Sequence, residues 1–439
     1  MTTRWQHQFK SFGSDEQGAV ALLFGLMTFV LFCMGAIAID YSRVIDMRTH
    51  MASAVDSSSL AAGRALLDGK LSDDEIITLA TTYFNENVKG VKQMGVVGIP
   101  SIHIDRDNGT VDIKVDSEVK MTLARVSGLE KMDIPVKSAA TYKQKDIEIG
   151  MALDITGSMD QRIGGQRKID GLKKAFENFA NTLLPQYPTA GQKVRIGVAP
   201  FSASVNLGNY AAAVTNDRSK DGCVTERRNG EFSDAAVTPA ASGSTTNPTA
   251  FLVAADGTKD IDPTEGTQGY VCPAPSIMPL SNNKAELIGA VNGFTPAGST
   301  AGHLGLQWAY NLISDKWGGV WGGSSAPSSY SDTLGDNPRL VKAVILMTDG
   351  IFNMSYHNDL ARKQALQLCL AIKNQSGKNV VVFTIGFGLG GDPVAIQTLK
   401  DCATPSEKNE YFVNAADSTE LDNALQKFAD KLGQLSLTQ

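Results

Sequence analysis

The chain has 439 residues, a formal net charge of −6 and 42% hydrophobic residues. That balance argues against a generally basic nucleic-acid-binding surface, and the length allows two or three domains with real cores. Five cysteines without a CxxC pair or a Cys/His cluster, and five scattered histidines, argue against a zinc site.

Residues 18–39 read GAVALLFGLMTFVLFCMGAIAI, without charge or proline. At 1.5 Å per residue, about 20 such residues cross a hydrocarbon core of roughly 30 Å. The run is longer than the apolar part of a cleaved signal peptide, and no small-x-small cleavage signal precedes a mature start. It therefore reads as an uncleaved single-pass anchor behind a short inner lead, residues 1–17. Arg4 and Lys10 before it nearly balance Arg43 and Arg48 after it, so charge alone leaves the orientation open.

The helical pattern continues past the span. Val44, Met47, Met51, Val55 and Leu60 keep an apolar side, and Gly69 ends the helix. A short second helix is expected from Ser72 to Asn85. SIHID, TVDIKVD, EVKMTLARV and DIPVKSAATY then alternate in period two, the first pair joined through Asp107-Asn108-Gly109. Residues 40–143 thus read as a helix followed by a small antiparallel sheet, an α+β region whose pilin-like character is implied only by the resemblance given below.

From Asp146 the pattern becomes α/β. DIEIGMALD, VRIGVAPF, LVKAVILMTD, VVVFTIGF and EYFVNA read as strands. Helices are expected at Lys168–Leu184, Asn283–Val291, Ala301–Ser314, Asp359–Asn374 and Ser418–Leu432. Buried strands separated by helices imply an open, mostly parallel sheet with flanking helices, over residues 144–436. Residues 208–283, rich in Gly, Ser, Thr, Pro, Asn and Asp, read as a long insertion. Cys223 and Cys272 bracket its loop-rich stretch, while Cys369 and Cys402 flank a strand and its following turn. In an exported chain these four suit two disulfides; each would otherwise be a small buried hydrophobe.

Ligands in such sheets bind outside the carboxyl ends of the strands. Two strands end in acids, at Asp154 (MALD) and Asp349 (LMTD). Thr156 and Ser158 follow the first, and Thr300 in PAGST precedes a helix. Singly, each has a plain role as a helix cap. Together they make an all-oxygen set suited to Mg²⁺, or to Mn²⁺ or Ca²⁺. Hydroxyl ligands leave the ion under-neutralised, able to take a carboxylate from a partner.

DITGS resembles the D-x-S-x-S motif of the metal-ion-dependent adhesion site of von Willebrand factor A domains, with Thr156 in place of the usual Ser. GST before a helix and ILMTDG resemble the later parts of that site, in the same order. The resemblance implies a Rossmann-like A-type fold and Asp154, Thr156, Ser158, Thr300 and Asp349 as the metal ligands. D-x-T-G-S is also similar to the nucleophile loop of aspartyl phosphotransferases. Lys342, Lys363 and Lys373 are available to such chemistry, but no paired acidic metal motif accompanies them. At the other end, DEQGAVALLFGL, AIDYSR and ASAVDSSSLAAGRAL resemble the opening of TadG-type proteins of the Tad (Flp-type) pilus assembly system of Gram-negative bacteria. That resemblance implies a TadE-like region before an A domain and a single pass through the inner membrane. The large part would lie in the periplasm or on the cell surface. It also implies a non-enzymatic role in assembly or adhesion, with pilus or secretion-assembly proteins as partners and no nucleic acid or small-molecule substrate. A structural envelope tether with a purely structural metal is the alternative.

Overall fold

The computed structural model describes residues 16–141, 144–184, 193–215, 219, 221–227, 232–237, 250–252, 271–335, 338–356, 360–374 and 376–437. Two compact units divide after Lys143. The lead expected over 1–17 and much of the insertion expected over 208–283 lie outside the described residues.

In the first unit, α1 (Glu16–Asp68) is one continuous helix. Its apolar stretch from Val20 is long enough to cross a membrane and has nearly all its side chains open. Beyond the stretch, Val44, Met47, Met51, Val55, Ala62 and Leu66 turn inward. Leu60, expected on that side, is 54% exposed. Five residues beyond Val55 it has rotated off the stripe, which a step of three or four keeps. Gly69, at φ 60°, ends the helix. Ser72 then caps α2 (Asp73–Asn87) in a reciprocal box with Glu75, and Ile76, Ala80 and Phe84 close on α1.

The strands β1 (Ser101–Asp105), β2 (Thr110–Lys120) and β3 (Lys131–Thr141) form an antiparallel sheet in chain order. Val111, Ile113, Val115 and Val119 alternate inward along β2 and face the helices. One expectation fails here. EVKMTLARV is not a strand of its own: its start completes β2, and Ala124–Ser127 turns as a 3₁₀ helix. The cause is Asp40, whose buried carboxylate accepts the backbone N–H groups of Thr122, Leu123 and Ala124. Amides held by a carboxylate cannot enter a ladder.

The second unit contains β4 (Asp146–Asp154), α3 (Lys168–Leu183), β5 (Val194–Phe201), β6 (Met278–Ser281), α4 (Lys284–Asn292), α5 (Gly302–Ile313), β7 (Leu340–Thr348), α6 (Ala361–Asn374), β8 (Val380–Phe387), α7 (Pro393–Cys402), β9 (Phe412–Ala415) and α8 (Ser418–Leu437). Its main sheet runs β6-β5-β4-β7-β8-β9, with β6 antiparallel at one edge and every other pairing parallel. Ile147, Ile149, Met151 and Leu153 of β4 pack toward α3, α4 and α8. Ala152 belongs to the opposite core, with α5, α6 and α7. On that side α5 lies so close that a Cβ on Gly150 would stand 1.9 Å from the Ala309 carbonyl oxygen. Helices therefore cover both faces of a mixed, mostly parallel sheet.

Two expectations are corrected. β6 is a strand inside the segment read as insertion. The stretch after β8 is a full helix, α7, rather than a turn; Asp392 caps it and Pro393 opens it. The glycine-rich segment before β7 folds into short turns over buried Trp317, Trp321 and Tyr330. Asp359, expected to start α6, lies outside the described residues.

Strand order decides where a ligand would sit. The chain leaves β4 for β5 on one side and later returns to β7 on the other. The crevice outside the carboxyl ends of β4 and β7 is thus the point where the winding reverses, the favoured binding place in such sheets.

Candidate functional site

Asp154 closes β4, and Asp349 follows β7 directly. Parallel register sets Leu153 beside Met347, so the two acids emerge at the same rim. A 3₁₀ turn over Gly157–Asp160 then folds Thr156 and Ser158 back across it.

Four oxygens stand in a row. Asp154 Oδ1 lies 2.6 Å from Thr156 Oγ1, which lies 2.9 Å from Ser158 Oγ, which lies 2.6 Å from Asp349 Oδ1. Each hydroxyl has one proton to donate. Three contacts with two hydroxyl protons leave the row one donor proton short, a lack that a proton on an acid fills, or that a cation among the oxygens replaces. The same shortage shows in Asp154, which is wholly buried. Burial, then the neighbouring Asp349 charge, push its carboxyl up to about 7, against hydrogen bonds from Thr156 and Thr348 that pull it down.

Two partners at this rim were not read from sequence. Thr348 Oγ1 donates to Asp154 Oδ2 at 2.7 Å. Lys168, at the first turn of α3, donates to Asp349 Oδ2 at 2.8 Å with both side chains buried. A lysine at a helix amino terminus opposes the macrodipole, and that local misfit is the signal that could have revealed it.

Thr300 stands at the margin. Its N–H donates to Asn353 Oδ1 at 2.8 Å, and its carbonyl accepts from Asn353 N at 2.9 Å. The loop carrying it is tied to the Asp154 loop through Gly157 N to Gly298 O and Ala297 N to Ile155 O. Among the described residues the Thr300 hydroxyl makes no hydrogen bond to the other four.

Cys223–Cys272 and Cys369–Cys402 are disulfides, with Cα atoms 5.7 and 5.1 Å apart. The Asp221 carboxylate lies beside the first bridge, but a disulfide leaves no thiolate for a metal. Cys33 is free.

Comparison with known proteins finds a family match near the amino terminus and distant likenesses among solved structures. Residues 18–65 match the family model described as putative Flp pilus-assembly TadE/G-like. An uncharacterized protein of Bacillus subtilis (strain 168), YwmD, is 42% identical over 67 residues, 15% of this chain and 30% of its own length. The chain thus spans less than a third of that relative. Among solved structures, the von Willebrand factor domain of the type V pili tip protein Mfa5 of Porphyromonas gingivalis aligns at a TM-score of 0.40 and 12% identity, over 68% of this chain and 98% of that one. The pilus adhesin SpaC of Lactobacillus rhamnosus GG aligns at 0.38 and 11% identity, over 77% and 34%. The PilB minor pilin of Streptococcus sanguinis aligns at 0.36 and 12%, over 78% and 79%.

Proposed function

We propose that this chain is a membrane-anchored, non-enzymatic, pilus-associated protein of the Tad/Flp type whose second unit is a von Willebrand A-type domain. That domain holds a protein partner through a divalent cation at the rim of β4 and β7. The observation that carries the reading is the proton-deficient oxygen row. Asp154, Thr156, Ser158 and Asp349 meet at the switch point of the sheet with one donor proton wanting, and every candidate ligand atom is a hard oxygen.

The residues fit Mg²⁺, with Mn²⁺ or Ca²⁺ as substitutes. Thr156, Ser158 and Asp349 would hold the ion, Asp154 would join them by orienting the Thr156 hydroxyl, and Thr300 would close the site from its loop. A bound ion supplies a Lewis-acidic position that takes a carboxylate from the partner. The TadE/G-like match over 18–65 and the apolar helix within it support attachment to a membrane. The disulfides support an oxidising compartment for the large part, the periplasm or the cell surface. The phosphotransferase reading finds no support at this rim. Both Asp154 oxygens accept hydrogen bonds, and the carboxylate has no open side for attack on a phosphoryl group.

A pulldown from envelope extract, with Mg²⁺ or with EDTA, tests the reading. Partner capture should require the metal, and Asp349→Ala should behave like EDTA while the circular dichroism spectrum persists. Capture that ignores EDTA would sink the adhesion mechanism. Unfolding by EDTA would instead make the ion structural.

A further inference from the structure

Burial on α1 begins inside its uncharged run rather than after it. Ala36 is 7% exposed, although Met34 and Ile37 beside it are open. One turn on, Asp40 accepts the N–H groups of Thr122, Leu123 and Ala124 at 2.9, 2.7 and 2.7 Å. Arg43 adds a bond to Thr122 Oγ1 at 2.7 Å. Three charge-assisted bonds to one carboxylate fix a loop firmly. The β2–β3 connection is therefore pinned to the helix where its apolar run ends.

Length sets the level of that end. The run over 18–39 measures about 33 Å, close to a hydrocarbon core of roughly 30 Å, and the headgroup zone adds about 5–7 Å on each side. A loop bonded to Asp40 thus stands in the headgroup zone. Its composition suits that place. Leu123 and Leu129 are 37% and 44% exposed, though nothing in a soluble loop requires either. From Lys120 to Lys131 the basic residues are Lys120, Arg125 and Lys131, against the single acid Glu130. Tyr41, next after Asp40, is also exposed, an aromatic of the type enriched at membrane interfaces.

We infer that the β2–β3 connection, residues 121–130, is a second membrane contact, with Leu123 and Leu129 entering the lipid headgroup zone beside the span. The occupant is a lipid surface, and the argument is continuity with the span itself. A helix alone leaves the soluble unit free to tilt and rotate on the membrane. A second contact, fixed to the helix through Asp40, holds the sheet upright. The opposite end of β2, at the Asp105–Thr110 hairpin, lies about 34 Å further out along the strand. There Arg106 ties it to Asp73 and to the Leu71 carbonyl, beyond the far end of α1.

The inference rests on residues 18–39 crossing the bilayer, and one experiment separates the two. The full chain is labelled with the fluorophore NBD and reconstituted into phosphatidylcholine–phosphatidylglycerol vesicles. The label sits on native Cys33, or on Leu123→Cys, Leu129→Cys or Asp107→Cys in a Cys33→Ser background. Doxyl-labelled lipids should quench most of the emission at positions 33, 123 and 129, and iodide should quench position 107 alone. Quenching at 33 with positions 123 and 129 open to iodide would overturn the second contact and leave the span intact. Positions 123 and 129 shielded from both quenchers would mean that protein covers the loop, which also overturns it. No lipid quenching at position 33 would remove the premise.

Discussion

β4 carries a buried acid near each end, and the two are held in opposite ways. Near the amino end, Glu148 meets Lys342 Nζ at 2.7 Å, the Arg195 guanidinium, and the Ser328 N–H at 2.9 Å. Burial alone would raise its pKa, but Lys342 and Arg195 outweigh it and hold the carboxyl below its usual range. At the carboxyl end, Asp154 has hydroxyls, amides and a second acid around it, and its pKa is raised. One strand thus shows a charge whose partners the fold provides and a charge whose partner it leaves out. The first needs nothing further. The second stays strained by its neighbours, the state that the proposed cation would relieve.

The largest effect should come from the finished end. Lys342→Met leaves Glu148 buried with the Arg195 guanidinium and the Ser328 N–H, and breaking such a pair costs about 3–5 kcal/mol. Urea unfolding of the exported part should show that loss equally in Mg²⁺ and in EDTA. Replacing both partners, Glu148→Gln with Lys342→Met, should recover much of it. A loss that Mg²⁺ repairs would mean that this end also takes a cation, and the contrast along β4 would fall.

How far this contrast could be read from sequence follows from the range of each interaction. Period-two alternation and buried runs are local, and they place the strands of both units. Asp154 and Asp349 are legible because a parallel sheet exposes strand ends, and DITGS and TDG mark those ends. What was missed is long-range. EVKMTLARV has strand alternation, yet a carboxylate some 80 positions earlier withdraws its amides. β6 is short and half exposed at a sheet edge, so its residues resemble loop. α7 carries an Asp-Pro start that is readable in the sequence. Lys168 looked like an ordinary first residue of an amphipathic helix, and only the tertiary fold brings its ammonium to Asp349.

That lysine gives the next test. Lys168→Met removes the ammonium that bonds Asp349, so in EDTA it should destabilise the domain as Lys342→Met does, though by less at a rim than in a core. Unlike Lys342→Met, it should be rescued by Mg²⁺, because the ion replaces the lost charge. Ligand at a hundredfold excess over its dissociation constant stabilises by about 2.7 kcal/mol, which sets the scale of rescue. Calorimetry should show Mg²⁺ binding roughly tenfold more tightly, or about 1.4 kcal/mol. Weaker Mg²⁺ binding would show that Lys168 positions Asp349 rather than competing for it.

The last effect is the pH dependence of the metal-free protein, and its sign is opposite to that of a paired acid. Asp154 has its carboxyl pushed up to about 7 from an ordinary 3.8, so between those values the folded state holds a proton that the unfolded state has released. The stability this contributes is fully present below about pH 4 and lost as the pH rises through about 7. In EDTA, the melting temperature should therefore fall between pH 5 and pH 8. Mg²⁺ should flatten the profile, since the cation supplies at high pH what the proton supplies at low pH. Asp154→Asn removes the charge and keeps one acceptor oxygen for Thr156, while its amide NH₂ meets Thr348 Oγ1 as a donor; it should flatten the profile without metal and abolish the response to Mg²⁺. If the wild-type profile in EDTA instead rises with pH, Asp154 is an ordinary paired acid like Glu148. The oxygen row would then be complete without a cation, and the metal-dependent mechanism would lose its physical basis.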